Sequence, residues 1–306
     1  MLDIDKNHFI TNFLLEKLYI MIINKNVLYS VFGNPINHSL SPLIHNFFSE
    51  YSGIHYDYNA KLIEIDSFEK CISIFFQNKY AKGANITAPF KNKAYFLSDH
   101  LTDRAFIAGS VNTFKKNKNN IIIGDNTDGV GILYDLKRLN YLEKKKISKI
   151  LILGAGGAAK GIIPVLLQDG HNVFVYNRTI KKTKEIYKNL NMLGNLCILN
   201  NFDDKKLLFD CIINTTSCIF DPIFEYFPYN LFSINTVFYD ICYNLNCDTS
   251  FLVWCKKRGA LNCSDGLGML ISQAAYSFLL WFNCLIHIDD LINYVFKKIL
   301  QKNYNF

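Results

Sequence analysis

The sequence lacks several features that define other classes of protein. Its nine cysteines include no C-x-x-C pair, and no His/Cys cluster has the spacing of a metal site, so we predict no bound metal. The basic block at 143–146 has no aromatic or arginine pattern beside it, which argues against nucleic acid as a partner. Internal repeats and low-complexity linkers are absent as well.

Signals for export and for membrane insertion are also weak. The first 24 residues contain Asp3 and Asp5 and no small-residue cleavage site, which makes them a poor signal peptide. Residues 266–288 carry no formal charge and are long enough to span a bilayer. Polar residues interrupt them throughout, so a helix buried between two domains explains them better. We therefore predict no membrane partner and a cytoplasmic location with reduced thiols.

What is present indicates a folded α/β protein. Hydrophobic residues make up 50% of the 306 positions and charged residues 19%, which suits two domains with real cores. Ser41-Pro42 predicts a helix start with Ser41 as its N-cap. Strands are predicted at 27–32, 56–62, 83–87, 150–153, 172–176, 210–214 and 237–240, and helices at 68–77 and 128–140. Strands and helices alternate from the start of this region, which indicates a separate α/β domain before the one that contains the strand at 150–153.

The junction after residue 153 is the most informative stretch. The apolar run 150–153 leads directly into Gly154-Ala155-Gly156-Gly157-Ala158-Ala159, which predicts strand, tight turn and helix start. Gly154 allows the turn, Gly156 lets the backbone approach a pyrophosphate, and Ala159 stands at the helix-packing position. The free N–H groups of the helix start favour phosphate binding. We predict a dinucleotide site here.

The end of the following strand selects the cofactor. An NAD site would place Asp or Glu about 20 residues after the glycines, against the ribose 2′-hydroxyl. This chain has Asn177-Arg178-Thr179 there instead. Because a guanidinium can hold a 2′-phosphate with paired N–H bonds, we predict NADP as the cofactor.

Five polar clusters fall at predicted strand ends or in loops. Ligands of open α/β sheets bind beyond the carboxyl ends of the strands, so these clusters are candidates for one shared crevice. They lie at 39–41, 85–91, 109–113, 124–129 and 265–269.

With these motifs the chain resembles the NADP-dependent shikimate dehydrogenases. The resemblance covers nearly everything from Val27 to about Ile288. It implies an α/β fold of two domains: an N-terminal substrate domain, a Rossmann-type doubly wound parallel sheet, and a C-terminal helix that returns to the first domain. It rests on Gly33-Asn34-Pro35-Ile36, Ser39-x-Ser41-Pro42, 85–91, 108–113, 124–129, 154–159, 177–179, and 265–270 with Gln273.

The implied domain boundaries follow from these matches. Residues 1–26 form an N-terminal extension outside the resemblance, and Met21 is a candidate alternative start. Residues 27–127 and 266–306 form the substrate-binding and catalytic domain. Residues 128–265 form the NADP-binding domain.

The resemblance also implies an activity, the NADPH-dependent reduction of 3-dehydroshikimate to shikimate in aromatic amino-acid biosynthesis. Lys91 and Asp128 match the catalytic pair, although Asp128 could also serve as a helix N-cap. Ser39 and Ser41, with Tyr243 as a third donor, match the clamp on the substrate carboxylate. Asn85, Thr87, Asn112 and Gln273 match positions that bond the ring hydroxyls and the lysine. The small-molecule substrate is the expected partner, and a homodimer is one assembly that the resemblance allows.

Cofactor contacts are implied for thirteen positions. They are Gly154, Ala155, Gly156, Gly157, Ala158, Asn177, Arg178, Thr179, Lys182, Thr216, Ser217, Ile241 and Gly266. The chain departs from the family pattern at three places near these sites. Cys218-Ile219 replaces a small Ser-Gly pair, Ala88 replaces a valine, and Lys182 replaces a second arginine, giving a point charge instead of a fork.

Two alternatives remain at this stage. One is a quinate/shikimate relative that accepts NAD, against which Arg178 and the serine pair argue. The other is a non-catalytic shikimate sensor, against which the intact Lys91, Asp128 and glycine loop argue.

Overall fold

The computed structural model describes residues 27–143, 146–202, 207–216, 232–284 and 287–303. The expectations for residues 1–26 and for Cys218-Ile219 lie outside these ranges. The strands are β1 Leu28–Gly33, β2 Asp57–Leu62, β3 Ala81–Ile86, β4 His100–Leu101, β5 Thr113–Lys116, β6 Ile122–Asp125, β7 Lys149–Leu153, β8 Asn172–Tyr176, β9 Leu196–Leu199, β10 Phe209–Asn214, β11 Phe232–Asp240 and β12 Asn262–Ser264. The α-helices are α1 Ser41–Ser52, α2 Phe68–Gln77, α3 Lys91–Leu97, α4 Asp103–Ala108, α5 Asp128–Arg138, α6 Gly157–Gln168, α7 Ile180–Leu190, α8 Ser250–Lys257, α9 Leu267–Phe282 and α10 Ile288–Asn303.

The first sheet is mixed. Its order is β2-β1-β3-β5-β6-β4, with β1 parallel to both β2 and β3. Strand β5 runs antiparallel to β3 and to β6. Buried phenylalanines fill one face of the sheet, and the rings of Phe68 and Phe90 stack at 4.7 Å. Phe90 immediately precedes Lys91, so this packing fixes the start of α3.

The second sheet is parallel throughout its described pairs, in the order β12-β11-β10-β7-β8-β9. Ile150, Leu151 and Ile152 of β7 are fully buried, as expected for a strand covered on both faces. The strand order reverses between β7 and β10, so the crevice for a ligand lies beyond the carboxyl ends of these two strands. The predicted doubly wound Rossmann sheet is confirmed.

Helices α5 and α9 connect the two halves and pack against each other. Glycine permits this close approach at two points. A Cβ on Gly131 of α5 would lie 2.7 Å from the Cβ of Gln273, and one on Gly268 of α9 would lie 2.2 Å from Asp135 Oδ1. Helices α9 and α10 then pack on α1, so the C-terminal helix returns to the first domain as predicted.

The uncharged segment 266–288 supplies α9, of which ten residues are buried. In the part of the chain that the structure describes, no helix is long and apolar enough to cross a membrane.

The structure contradicts the predicted N-cap at Ser41, the alternative N-cap role of Asp128 and the expectation of reduced thiols. Leu40, not Ser41, is the N-cap of α1, and Thr127, not Asp128, is the N-cap of α5. Neither helix start has a side-chain cap bond; the Ser41 N–H instead meets Ser39 Oγ at 3.3 Å. The expectation of reduced thiols throughout fails at Cys242, which is disulfide-bonded.

Burial of His45 in α1 makes stability depend on pH. Desolvation lowers the pKa of His45 from 6.5 to about 3. Below pH 6.5 the unfolded chain binds a proton that the folded chain excludes, so the free energy of unfolding should fall as pH falls toward 3. This one group accounts for at most about 1.4 kcal/mol per pH unit, and for none above pH 6.5. Denaturant titrations at several pH values between 3 and 7 measure this dependence. The free energy of unfolding should fall less steeply with falling pH in His45→Phe than in the parent. An equal pH dependence in both proteins would contradict this.

Candidate active site

One cavity of about 530 Å³ collects the predicted catalytic and substrate-binding residues. It lies where β1, β3 and β11 end and where α9 begins. Nine predicted side chains line it: Ser39, Ser41, Asn85, Thr87, Lys91, Asn112, Asp128, Tyr243 and Gln273. Three predicted cofactor residues, Ala158, Ile241 and Gly266, line it as well. The cavity is therefore shared by the two halves of the chain.

Lys91 and Asp128 form an ion pair at the cavity wall. Lys91 Nζ lies 2.6 Å from Asp128 Oδ2, and their side chains are 15% and 6% exposed. Asp128 Oδ1 accepts a second bond, at 2.8 Å, from Asn112 Nδ2. Because each carboxylate oxygen has its own donor, the carboxylate is held in one orientation and Lys91 is aimed from it into the cavity.

The Asn112 side chain is held by its neighbours. Its Oδ1 accepts from the Thr127 N–H at 2.9 Å. Its Nδ2 lies 2.9 Å from Thr127 Oγ1 and 3.3 Å from Gln273 Oε1. The residue is 3% exposed. This network connects Asn112 and Gln273 to Lys91 and Asp128, the predicted catalytic pair.

Asn85 is held in a second network, on β3. Its Oδ1 accepts from the Tyr58 hydroxyl at 2.7 Å. Its Nδ2 donates to Ser277 Oγ at 3.0 Å and to Thr113 Oγ1 at 3.1 Å. The amide is therefore oriented before any ligand binds.

Three hydroxyl groups also line the cavity. Ser39 and Ser41 follow β1, and Tyr243 follows β11. Burial raises the pKa of Tyr243 above its ordinary value. Its hydroxyl therefore stays protonated at neutral pH and able to donate, as do the serines. Three neutral donors suit a carboxylate that must be bound without a fixed cation.

The glycine turn after β7 has the geometry that a pyrophosphate requires. Gly154 has φ +111°, and a Cβ there would lie 2.6 Å from Thr215 Oγ1. Gly156 is exposed, and a Cβ on it would meet no atom within 4 Å. Gly156 is also the N-cap of α6 and makes no side-chain cap bond, so backbone N–H groups remain for phosphate oxygens. The residues present fit a dinucleotide.

The remaining cofactor residues lie away from the cavity. Arg178, Thr179 and Lys182 are exposed where β8 ends, and Asn177 Nδ2 donates to Thr179 O at 3.1 Å. Within the described ranges Arg178 forms no ion pair, so its guanidinium is available to a phosphate. Thr216 Oγ1 donates to Asn214 Oδ1 at 2.7 Å. Ser217 lies outside the described residues.

Lys91 connects the substrate half to the glycine turn. A Cβ on Gly157 would lie 3.6 Å from Lys91 Cβ and 3.7 Å from its Cδ. The lysine stem therefore runs along the start of α6, and the same side chain lines the cavity.

Sequence analysis missed residues that support the site from behind. Asp125 is fully buried and binds Arg104 through both carboxylate oxygens. It also accepts from Thr102 Oγ1 at 2.6 Å. Asp125 stands in the same polar cluster as Asp128, so that cluster was the available signal. For Tyr58, on β2, the sequence carried no comparable signal. Cavity-lining residues that were not selected are Val31, Pro35, Ile36, His38, Ile86, Cys242, Met269 and Leu270.

The chain is similar to proteins of one family along most of its length. Residues 31–114 match the family model of the shikimate dehydrogenase substrate-binding domain, and residues 137–224 match that of shikimate/quinate 5-dehydrogenase. The chain is 48% identical over 265 residues to shikimate dehydrogenase (NADP(+)) of Buchnera aphidicola subsp. Schizaphis graminum, covering 87% of this chain and 95% of that protein. It is 42% identical to the enzyme of the same name from Blochmanniella pennsylvanica, covering 87% and 97%.

Solved structures of shikimate dehydrogenases are also similar to this chain. Shikimate dehydrogenase from Aquifex aeolicus matches with a TM-score of 0.77 at 35% identity, covering 89% of this chain and 99% of that one. The Thermus thermophilus enzyme in complex with NADP(H) and shikimate matches with a TM-score of 0.75 at 26% identity, covering 89% and 99%.

Proposed function

The chain belongs to the shikimate dehydrogenase family, and we propose that the residues of its cavity carry out this family's reaction. It is an NADP-dependent oxidoreductase that reduces 3-dehydroshikimate to shikimate in the shikimate pathway. The similar proteins do not favour the two alternatives, an NAD-accepting quinate/shikimate dehydrogenase and a non-catalytic shikimate sensor. The observation that carries the assignment of roles is the Lys91–Asp128 pair, joined at 2.6 Å in a cavity that Ala158 also lines.

Bound NADPH supplies the hydride that reduces the ketone carbon. In our proposal Lys91 Nζ donates a hydrogen bond to the ketone oxygen and transfers a proton to it as the C–O double bond becomes a single bond. Asp128 orients the ammonium, which it holds at 2.6 Å, toward the ketone oxygen. The positive charge at Nζ also stabilises negative charge that develops on the oxygen in the transition state. Lys91 then regains a proton from solvent.

The other cavity residues orient the ring. We assign the carboxylate to Ser39, Ser41 and Tyr243, whose hydroxyls are all donors. The amides of Asn85, Asn112 and Gln273, with the Thr87 hydroxyl, are assigned to the ring hydroxyls. Binding the substrate at several points limits its rotation, which brings the ketone carbon into a reactive geometry with the cofactor.

The cofactor assignment uses the glycine turn and the end of β8. We assign the pyrophosphate to the backbone of 154–158 and the 2′-phosphate to Arg178, with Asn177, Thr179 and Lys182 beside it. Ile241, Gly266, Thr216 and Ser217 are assigned to the nicotinamide side. The guanidinium of Arg178 is exposed and forms no ion pair with the described residues, which supports this orientation of NADP.

The remaining parts of the proposal concern organisation. We propose that 27–127 with 266–306 bind substrate and that 128–265 bind NADP. A cytoplasmic location is supported by reduced thiols at seven of the eight described cysteines, although Cys242 is disulfide-bonded. A homodimer is supported by exposed apolar side chains such as Phe96 and Met192, which are 83% and 86% exposed. Light scattering on the full chain would test the dimer.

Replacement of either serine tests the carboxylate assignment. In Ser39→Ala or Ser41→Ala the substrate loses one hydrogen bond to a charged group, worth about 1.5–3 kcal/mol. We expect the shikimate KM to rise by about 10- to 100-fold while the dissociation constant of NADP stays unchanged. The shikimate KM is measured from the absorbance of NADPH, and the NADP dissociation constant by calorimetry. Equal loss of NADP affinity would show that these serines do not contact the substrate.

A further inference from the structure

Tyr58 of β2 lies behind the cavity wall and has no role in the reaction as described so far. Its ring is buried at 8% exposure and stacks on the His45 ring, with centroids 3.9 Å apart and planes 13° from parallel. Burial lowers the pKa of His45 to about 3, so the imidazole is neutral and the stack is an apolar contact. This packing fixes where the Tyr58 hydroxyl points.

That hydroxyl bonds to a substrate-binding residue. It donates to Asn85 Oδ1 at 2.7 Å. Burial raises the pKa of Tyr58 well above its ordinary value, so the hydroxyl keeps its proton and remains a donor. Asn85 lies on β3 and lines the cavity. One buried hydroxyl therefore supports the ring-hydroxyl site from behind.

The bond to Tyr58 decides which way the Asn85 amide faces. The amide nitrogen of Asn85 already donates to Ser277 and Thr113. Without the Tyr58 hydroxyl, Asn85 Oδ1 would lose its donor inside the protein, at a residue only 7% exposed. A buried acceptor without a partner is unfavourable, so the amide would turn or shift toward the cavity.

We propose that Tyr58 is a positioning residue for shikimate, whose hydroxyl holds the Asn85 amide in the orientation that binds the ring. The inference rests on the proposed function of Asn85. Because Tyr58 supports binding of the substrate and not the transfer of the proton, its loss raises the KM for shikimate more than it lowers kcat.

Tyr58→Phe is the direct test, since it removes the hydroxyl and keeps the ring stack. Tyr56→Phe is a matched control, because Tyr56 is 9% exposed and, among the described residues, its hydroxyl bonds to His45 alone, at its backbone oxygen and Nδ1. We expect Tyr58→Phe to raise the shikimate KM by about three- to tenfold, with kcat and the NADP dissociation constant near those of the parent. Tyr56→Phe should leave the KM unchanged. Thermal melts of both variants report any loss of stability.

A double-mutant cycle tests whether Tyr58 acts on substrate binding through Asn85. In an Asn85→Ala background the further change Tyr58→Phe should raise the KM by much less than it does alone, since the partner is gone. An unchanged KM in folded Tyr58→Phe, or equal rises in both tyrosine variants, would overturn the inference. Ser39→Ala separates this outcome from failure of the proposed function, because Ser39 does not bond to Tyr58. If Ser39→Ala also leaves the KM unchanged, the substrate site itself is misassigned.

Discussion

Lys91→Ala is expected to lower kcat by about 10²–10⁴-fold, with a further loss from the missing charge at the developing alkoxide. The dissociation constants of NADP and shikimate should change far less. The reason is that the ammonium is needed most in the transition state, when the ketone oxygen becomes basic and negative. Turnover measured from NADPH absorbance, beside both dissociation constants from calorimetry, gives the comparison.

Two further variants sharpen this test. Lys93→Ala removes a lysine from the same helix, where Lys93 Nζ bonds to Ile65 O and lies 3.5 Å from Glu69, outside the cavity. Its kcat should match that of the parent. Lys91→Arg should restore little activity, since a guanidinium does not readily give up a proton. A folded Lys91→Ala protein with turnover within about tenfold of the parent would rule out the proposed mechanism.

Arg178→Ala is expected to lower the ratio of kcat/KM for NADP to that for NAD by about 10- to 100-fold. The guanidinium can form two charge-assisted bonds to the 2′-phosphate, and NAD has no such group. Efficiency with NAD should therefore stay near that of the parent. Steady-state kinetics with each cofactor at saturating shikimate measure the ratio.

Lys188→Ala is the control for net charge. Lys188 is exposed in the last turn of α7, and its loss removes the same charge as the loss of Arg178. It should leave the cofactor ratio unchanged. If Arg178→Ala also leaves it unchanged, the 2′-phosphate is bound elsewhere.

Local patterns in the sequence were sufficient for much of this architecture. The apolar run of β7 followed by Gly154 and Gly156 has few alternatives, because a strand, a tight turn and a helix start all require those residue types. Helix α2 and strand β8 were predicted with the bounds that the structure has. The nine catalytic and substrate residues do line one cavity, although their roles remain predictions.

Contacts between segments that are distant in the sequence could not be predicted from it. The antiparallel β5 and the order of the first sheet depend on pairing that no local pattern specifies. Tyr58 and Asn85 are 27 positions apart, and their bond exists because β2 and β3 both flank β1. Ser41 has the residue type of an N-cap, but its backbone is already helical and Ser39 bonds to its N–H. Propensity cannot resolve a shift of one residue.

As assigned, the substrate and cofactor sites should respond differently to dissolved salt. Among the described residues that line the cavity, the formal charges at pH 7 are those of Lys91 and Asp128, which oppose each other at 2.6 Å. In our proposal the substrate carboxylate meets neutral hydroxyl dipoles, which mobile ions screen little. The exposed Arg178 is proposed to act on the 2′-phosphate as a full charge, and counterions screen such a charge within about 8 Å at physiological ionic strength. We therefore expect rising ionic strength to weaken NADP binding while the affinity for shikimate changes little.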